Sequence, residues 1–131
     1  MAKSSTSYQY QSFTSFRLAL TSSYQDLATG AADDSDVVEV VVTNTGASSR
    51  TLTVAYNQAS NDDVIAVVTV PANTGIAAGN NAIRLIQGNY LPGAYYNRNG
   101  NLVFNLKSGE KLRVKQDTST DLLIVGKQLN Y

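Results

Sequence analysis

The stretch VVEVVVTNTGASSRTLTVAY, residues 37–56, carries the densest β pattern in the chain. Two β-branched runs flank a polar break at residues 44–50, and such density favours strands over a helix. Alternation sets Val38, Val40 and Val42 on one face and Val37, Glu39, Val41 and Thr43 on the other. Leu52, Val54 and Tyr56 then point inward, with Thr51, Thr53 and Ala55 outward. Gly46 supplies a residue able to take positive φ, so the segment is expected to be a β-hairpin. Its outer face, Val37, Val41, Thr51 and Thr53, is mildly apolar and is expected to pack on a neighbouring subunit or on the chain's own N-terminal arm.

The pattern continues outward in both directions. LALTSSYQDL (residues 18–27) reads as one short strand running into the acidic loop GAADDSD. VIAVVTV (64–70) reads as a strand stopped by Pro71, which cannot donate to a ladder. AIRLIQG (82–88) alternates but is short enough to be a helical turn. NYLPGAYYNRNG (89–100) is expected to be an aromatic loop ending in an Asn99-Gly100 reversal. NLVFNLKSGEKLRVKQD is expected to be a second hairpin, with Leu102, Phe104 and Leu106 facing Leu112 and Val114 across Ser108-Gly109. DLLIVGKQLNY is the final strand. Seven or eight short strands with frequent turn signals and no convincing helix indicate an all-β, single antiparallel β-sandwich or jelly roll.

Residues 1–16 read as an extended N-terminal arm ahead of a sandwich domain at 17–131. The arm is rich in Ser, Thr and Gln and holds Tyr8, Tyr10, Phe13 and Phe16 at spacings that form no helical stripe. Aromatics of this kind act as anchors on the domain or on a neighbour, because each buries much area at little entropic cost. The alternative is a first strand on the same sheet.

With 131 residues, a single core can bury roughly two-thirds of the surface that the unfolded chain exposes. There is no cysteine and no histidine, which excludes disulfides, thiolate nucleophiles, His or Cys metal ligands and every Ser-His or Cys-His relay. Ten Lys and Arg balance ten Asp and Glu, so no field of one sign points to nucleic acid or an anionic membrane. Only 15% of residues are charged, below the about 25–35% typical of a freely diffusing surface. Such a surface is tolerated best in a protein packed among neighbours. The first residues lack the apolar core of a secretory signal, and no run approaches the ~18 apolar residues of a membrane helix, so no membrane is expected.

Candidate chemistry is sparse. Asp33, Asp34 and Asp36, with Asp62 and Asp63, offer oxygens for calcium but lack the spacing of a calcium loop, and turn capping explains them equally. Paired carboxylates for glycoside cleavage would need two of the ten acidic residues to face one cleft, and most of these acids sit in loop clusters with the pattern of solvated turns. Gly75 and Gly79 lack the Gly-Lys-Ser/Thr ending of a phosphate cradle. Lys107, Lys111, Arg113, Lys115 and Lys127 form the one basic concentration, read as a solvated charged face or a stripe for an acidic partner. Tyr90, Tyr95 and Tyr96 are suited to an interface or to stacking on sugars. No catalytic residue, cofactor or metal is expected.

The order of YQDLATG, VVVTNTG…RTLTV, VTVPANTG and LKSGEKLRVKQDTSTDLLIVGKQL resembles the small all-β virion proteins of tailed bacteriophages. These comprise head decoration or cement proteins, head fibres, and neck and tail-tip modules. The likeness covers about residues 18–130, with residues 88–100 as an insertion. It implies a non-enzymatic structural protein on the virion, binding the major capsid protein or another virion protein and copies of itself. A tail-fibre or baseplate module that binds carbohydrate through its tyrosines is the alternative it leaves.

Overall fold

A computed structural model describes residues 12–77, 79–97 and 99–131. The chain is all-β, and its described residues form ten strands: β1 (Ser12–Ala19), β2 (Gln25–Thr29), β3 (Ser35–Asn44), β4 (Arg50–Gln58), β5 (Asn61–Val70), β6 (Ile83–Arg84), β7 (Tyr95–Tyr96), β8 (Leu102–Leu106), β9 (Lys111–Gln116) and β10 (Leu122–Asn130). A six-stranded sheet runs β1-β10-β3-β8-β7, with β6 also on β3, and a four-stranded sheet runs β2-β9-β4-β5. Every pairing is antiparallel. The two sheets enclose one core, in which Leu20, Leu52, Leu85, Leu106, Leu112 and Ile124 are fully buried.

Residues 37–56 are not a hairpin. β3 lies in the six-stranded sheet and β4 in the four-stranded one, so the chain arches from one layer to the other. A hairpin and an arch share one alternation pattern, since each turns one apolar row toward the core. What separates them here is the chemistry of the break. The buried Asn44 amide donates to the carbonyls of Ser48 (2.9 Å), Val70 (3.1 Å) and Pro71 (3.1 Å), while its Oδ1 accepts from Gly46 N–H at 2.9 Å. Thr45 N–H donates to Asp121 O at 3.0 Å, and Arg50 Nε pairs with Asp121 Oδ2 at 2.9 Å. These bonds hold the break across the end of the sandwich and carry β4 into the opposite layer.

The second expected hairpin is an arch as well. β8 pairs with β3 and β7, whereas β9 pairs with β2 and β4. Phe104 and Leu106 do share one core with Leu112 and Val114, but from opposite sheets rather than side by side. Likewise residues 18–27 are not one strand: β1 ends at Ala19 in one sheet and β2 begins at Gln25 in the other.

The long hairpin is β4–β5, joined by Ala59 and Ser60, both at positive φ (53° and 67°). This is the geometry that Asn-Gly favours, and Ala-Ser gives no sequence signal for it. β7–β8 is the other reversal within one sheet.

A register shift between Lys127 and Gln128 makes Val38 the extra residue of a bulge in β3. Val37 therefore points inward with Val40 and Val42, and the expected outward position of Val37 is corrected to full burial. The expected outer face is not one surface. Val41 lies on the six-stranded sheet beside Arg84 of β6, while Thr51 and Thr53 lie on the four-stranded sheet, all three half-buried.

Residues 1–11 of the expected arm, with Tyr8 and Tyr10, lie outside the described residues. Residues 12–16 belong to β1, paired in register along β10. The Phe16 ring lies over Gly126, where an added Cβ would sit 2.5 Å from it and 2.1 Å from Glu39 O. Phe16 thus fills the space left by a glycine in a central strand and packs on the chain's own core.

Candidate functional site

The tyrosine-bearing segment is built on buried anchors. Leu85, Ile86 and Leu91 are buried, and Leu85 N–H donates to Val40 O at 2.9 Å, fixing the segment to β3. Tight turns follow: Gly88 N–H to Arg84 O (2.9 Å), Asn89 N–H to Ile86 O (3.1 Å) and Tyr90 N–H to Leu85 O (3.0 Å). Gly88 is required there, because a Cβ would stand 2.5 Å from Arg84 O. The β7–β8 turn is organised by Asn97, whose Oδ1 accepts from the N–H groups of Asn99 (3.0 Å) and Asn101 (2.9 Å).

On this scaffold Tyr90, Tyr95 and Tyr96 are 42%, 50% and 73% exposed. Tyr95 and Tyr96 are adjacent on β7, so their rings leave opposite faces of the strand and do not share one flat platform. Tyr95 lies on the side of Tyr131, whose ionisation it disfavours. Phe13 stands opposite Leu129 on the outer face of the six-stranded sheet, 57% exposed. Phe13 and the three tyrosines are therefore open to solvent, whereas Phe16 is engaged within the sandwich.

Next to the tyrosine hairpin is an open depression of about 410 Å³, lined by Val38, Glu39, Gln87, Asn101, Leu102 and Leu129, together with Gly100. Gln87 donates to Val38 O at 2.8 Å, using the carbonyl of the bulge residue. The sequence reading missed Val38, Gln87 and Leu129, because the bulge and turns that converge them carry no local motif.

The basic stripe is real on β9, where Lys111, Arg113 and Lys115 share the outer face of the four-stranded sheet. Acids neutralise much of it. Lys111 Nζ and Arg113 Nε reach the two oxygens of Asp26 at 2.9 and 3.0 Å, and a second Arg113 nitrogen reaches Asp62 at 2.7 Å. The Lys111 hydrogen bond, with the charges of both cations, holds the Asp26 carboxyl below its usual range against a smaller opposing effect of burial. Lys115 Nζ lies 4.7 Å from the Tyr24 ring centre, a cation–π contact. Lys127 is on the other sheet and does not join the stripe. The open groove of about 320 Å³ here is bounded by Asp26, Asn57, Ser60, Lys111 and Arg113, a paired-charge surface.

The acidic cluster separates into different tasks. Asp36 is buried and accepts from Tyr131 O–H (2.7 Å) and Asn105 Nδ2 (3.0 Å). Asp34 takes positive φ (87°) in the turn before β3, and Asp62 serves Arg113 on the other sheet. Among the described residues no three acids converge as metal ligands would. Gly75 and Gly79 both have positive φ (81° and 85°), as turn glycines do. In comparison with known proteins, the chain matches no family model, no curated protein and no solved structure.

Proposed function

We propose that this chain is a non-enzymatic structural protein of a tailed-phage virion, a decoration or cement protein that binds the major capsid protein and stabilises the head shell. The observation that carries the reading is the exposure of Tyr90 and Tyr96, with Phe13, on a surface otherwise low in charge. Large aromatic rings exposed at the surface are what a protein interface uses as anchors. Repetition supplies the rest of the logic. A standard contact of ~1,600 Å², multiplied over a symmetric shell, sums modest gains into a large total without chemistry.

The test is co-sedimentation of the purified full chain with genome-filled heads. Binding should saturate at a fixed copy number, and the double variant Y90A/Y96A should weaken it by about tenfold or more, the size expected for interface anchors. Failure of the unaltered chain to bind heads would sink the reading.

A second reading, a tail-fibre or baseplate module that binds carbohydrate, is favoured by the depression beside β7–β8. There the polar side chains of Glu39, Gln87 and Asn101 stand next to Leu102, the strand partner of Tyr96. Tyrosine-dependent signals on a glycan array would support it over the shell reading.

A further inference from the structure

The edges of the two sheets are not equally guarded. β2, one edge of the four-stranded sheet, is five residues long, carries Asp26 and is broken by a register shift between Asp26 and Ala28. β6 and β7, at edges of the six-stranded sheet, are two residues long each. β1 carries Arg17, and the residues that precede it lie outside the described ones.

The remaining edge, β5, is ten residues long, and after Asp62 and Asp63 it reads VIAVVTV with no charge. Val64 and Val67 on it are 55% and 65% exposed. Of the devices that keep sheet edges from pairing, lysines, inward charges and short length are missing from residues 64–70; a bulge at Ile65 and Pro71 just after Val70 bound an open stretch between them. One bulge, at Ile65, interrupts the strand; residues 66–70 are in unbroken register with β4.

We propose that the β5 edge is a self-association site, where two copies pair antiparallel through residues 66–70 and join their four-stranded sheets into one continuous sheet. Charge decides in favour of a second copy in this orientation. A two-fold axis through Val68 sets Val67 of each copy opposite Thr69 of the other on the outer face. Ala66 then meets Val70 on the inner face. Pro71, which has no N–H to donate, falls opposite the bulge residue Ile65, so pairing stops on both sides at the same place. Asp62 and Asp63 of each copy lie beyond the other's Pro71, so like charges are separated; a parallel arrangement would stack them on one another. The contact is isologous and closes at two copies, leaving the tyrosine hairpin of each copy on the other sheet. The inference does not rest on the virion reading.

The test is sedimentation velocity of the full chain from about 5 μM to 500 μM, a range suited to a small edge contact. The unaltered chain should shift toward a dimer as concentration rises. Val67→Lys, and separately Thr69→Lys, should weaken dimerisation at least about tenfold with unchanged circular dichroism, since both side chains are exposed. Val125→Lys, on the outer face of the other sheet, should leave it unchanged. The doubly substituted V67C/T69C chain should oxidise to a covalent dimer. A monomer throughout the range, a dimer indifferent to both lysines, equal loss with Val125→Lys, or open-ended filaments would each overturn the proposal. A dimer that fails to bind heads would leave it standing and sink the virion reading alone.

Discussion

The hydroxyl of Tyr131 donates to the carboxylate of Asp36 at 2.7 Å, and both groups are buried. The bond ties the last residue of the chain to β3, next to the backbone bond from Tyr131 N–H to Asp34 O at 3.1 Å. Removing the hydroxyl deprives a buried carboxylate of a donor, which costs more than the bond contributes net. Tyr131→Phe is expected to lower unfolding free energy by about 1–3 kcal/mol, measured by urea denaturation.

Asn44 decides where the chain crosses between sheets, so its loss is expected to be felt beyond its own turn. Asn44→Ala leaves the buried Val70 carbonyl without the amide donor it has now. The expected cost is about 2–3 kcal/mol of stability, with hydrogen exchange accelerating at the arch and at the end of β5 together.

The β4–β5 turn is strained by its own residues. Ala59 and Ser60 hold positive φ, at a cost of about 1 kcal/mol for a residue with a Cβ. Ala59→Asn with Ser60→Gly should therefore raise stability by about 1 kcal/mol, read as a higher thermal midpoint.

Two tyrosines make the fold sensitive to alkali. Burial, then the neighbouring Glu110, pushes the Tyr56 hydroxyl up to about 12; burial, then Asp36, pushes that of Tyr131 up further. A raised pKa means that the folded state holds the proton more tightly than the unfolded one. The stabilisation is complete below pH about 10 and is lost as pH rises from there through the folded value. Thermal midpoints should be insensitive to these groups near neutrality and fall between pH about 10 and 12. Absorbance at 295 nm should show late-titrating tyrosines that become normal in urea.

The sequence made the strands legible and their partners illegible. Val40, Val42, Leu52 and Val54 are core as their alternation indicated, because burial of one face is written locally. Whether Val42 and Leu52 share a sheet is not, since that depends on Asn44 finding the carbonyls of Val70 and Pro71. The phase at Val37 was hidden for a related reason: in a run of valines a one-residue bulge leaves no polar marker, and the Lys127–Gln128 shift lies far away in sequence. Tyr90, Tyr95 and Tyr96 are exposed, but residues 95–96 of the expected aromatic loop form β7, and the depression beside them is assembled from β3, β8, β10 and two turns. The β5 edge was readable as a strand and not as an edge, because edge position is a property of the whole sheet order.

The central claim is that the chain is built into a particle. Quantitative mass spectrometry of gradient-purified virions, set against the lysate from the same infection, tests it most directly. The account predicts the chain in the particle fraction at a fixed, high copy number relative to the major capsid protein. A chain abundant in the lysate and missing from the particles would contradict it.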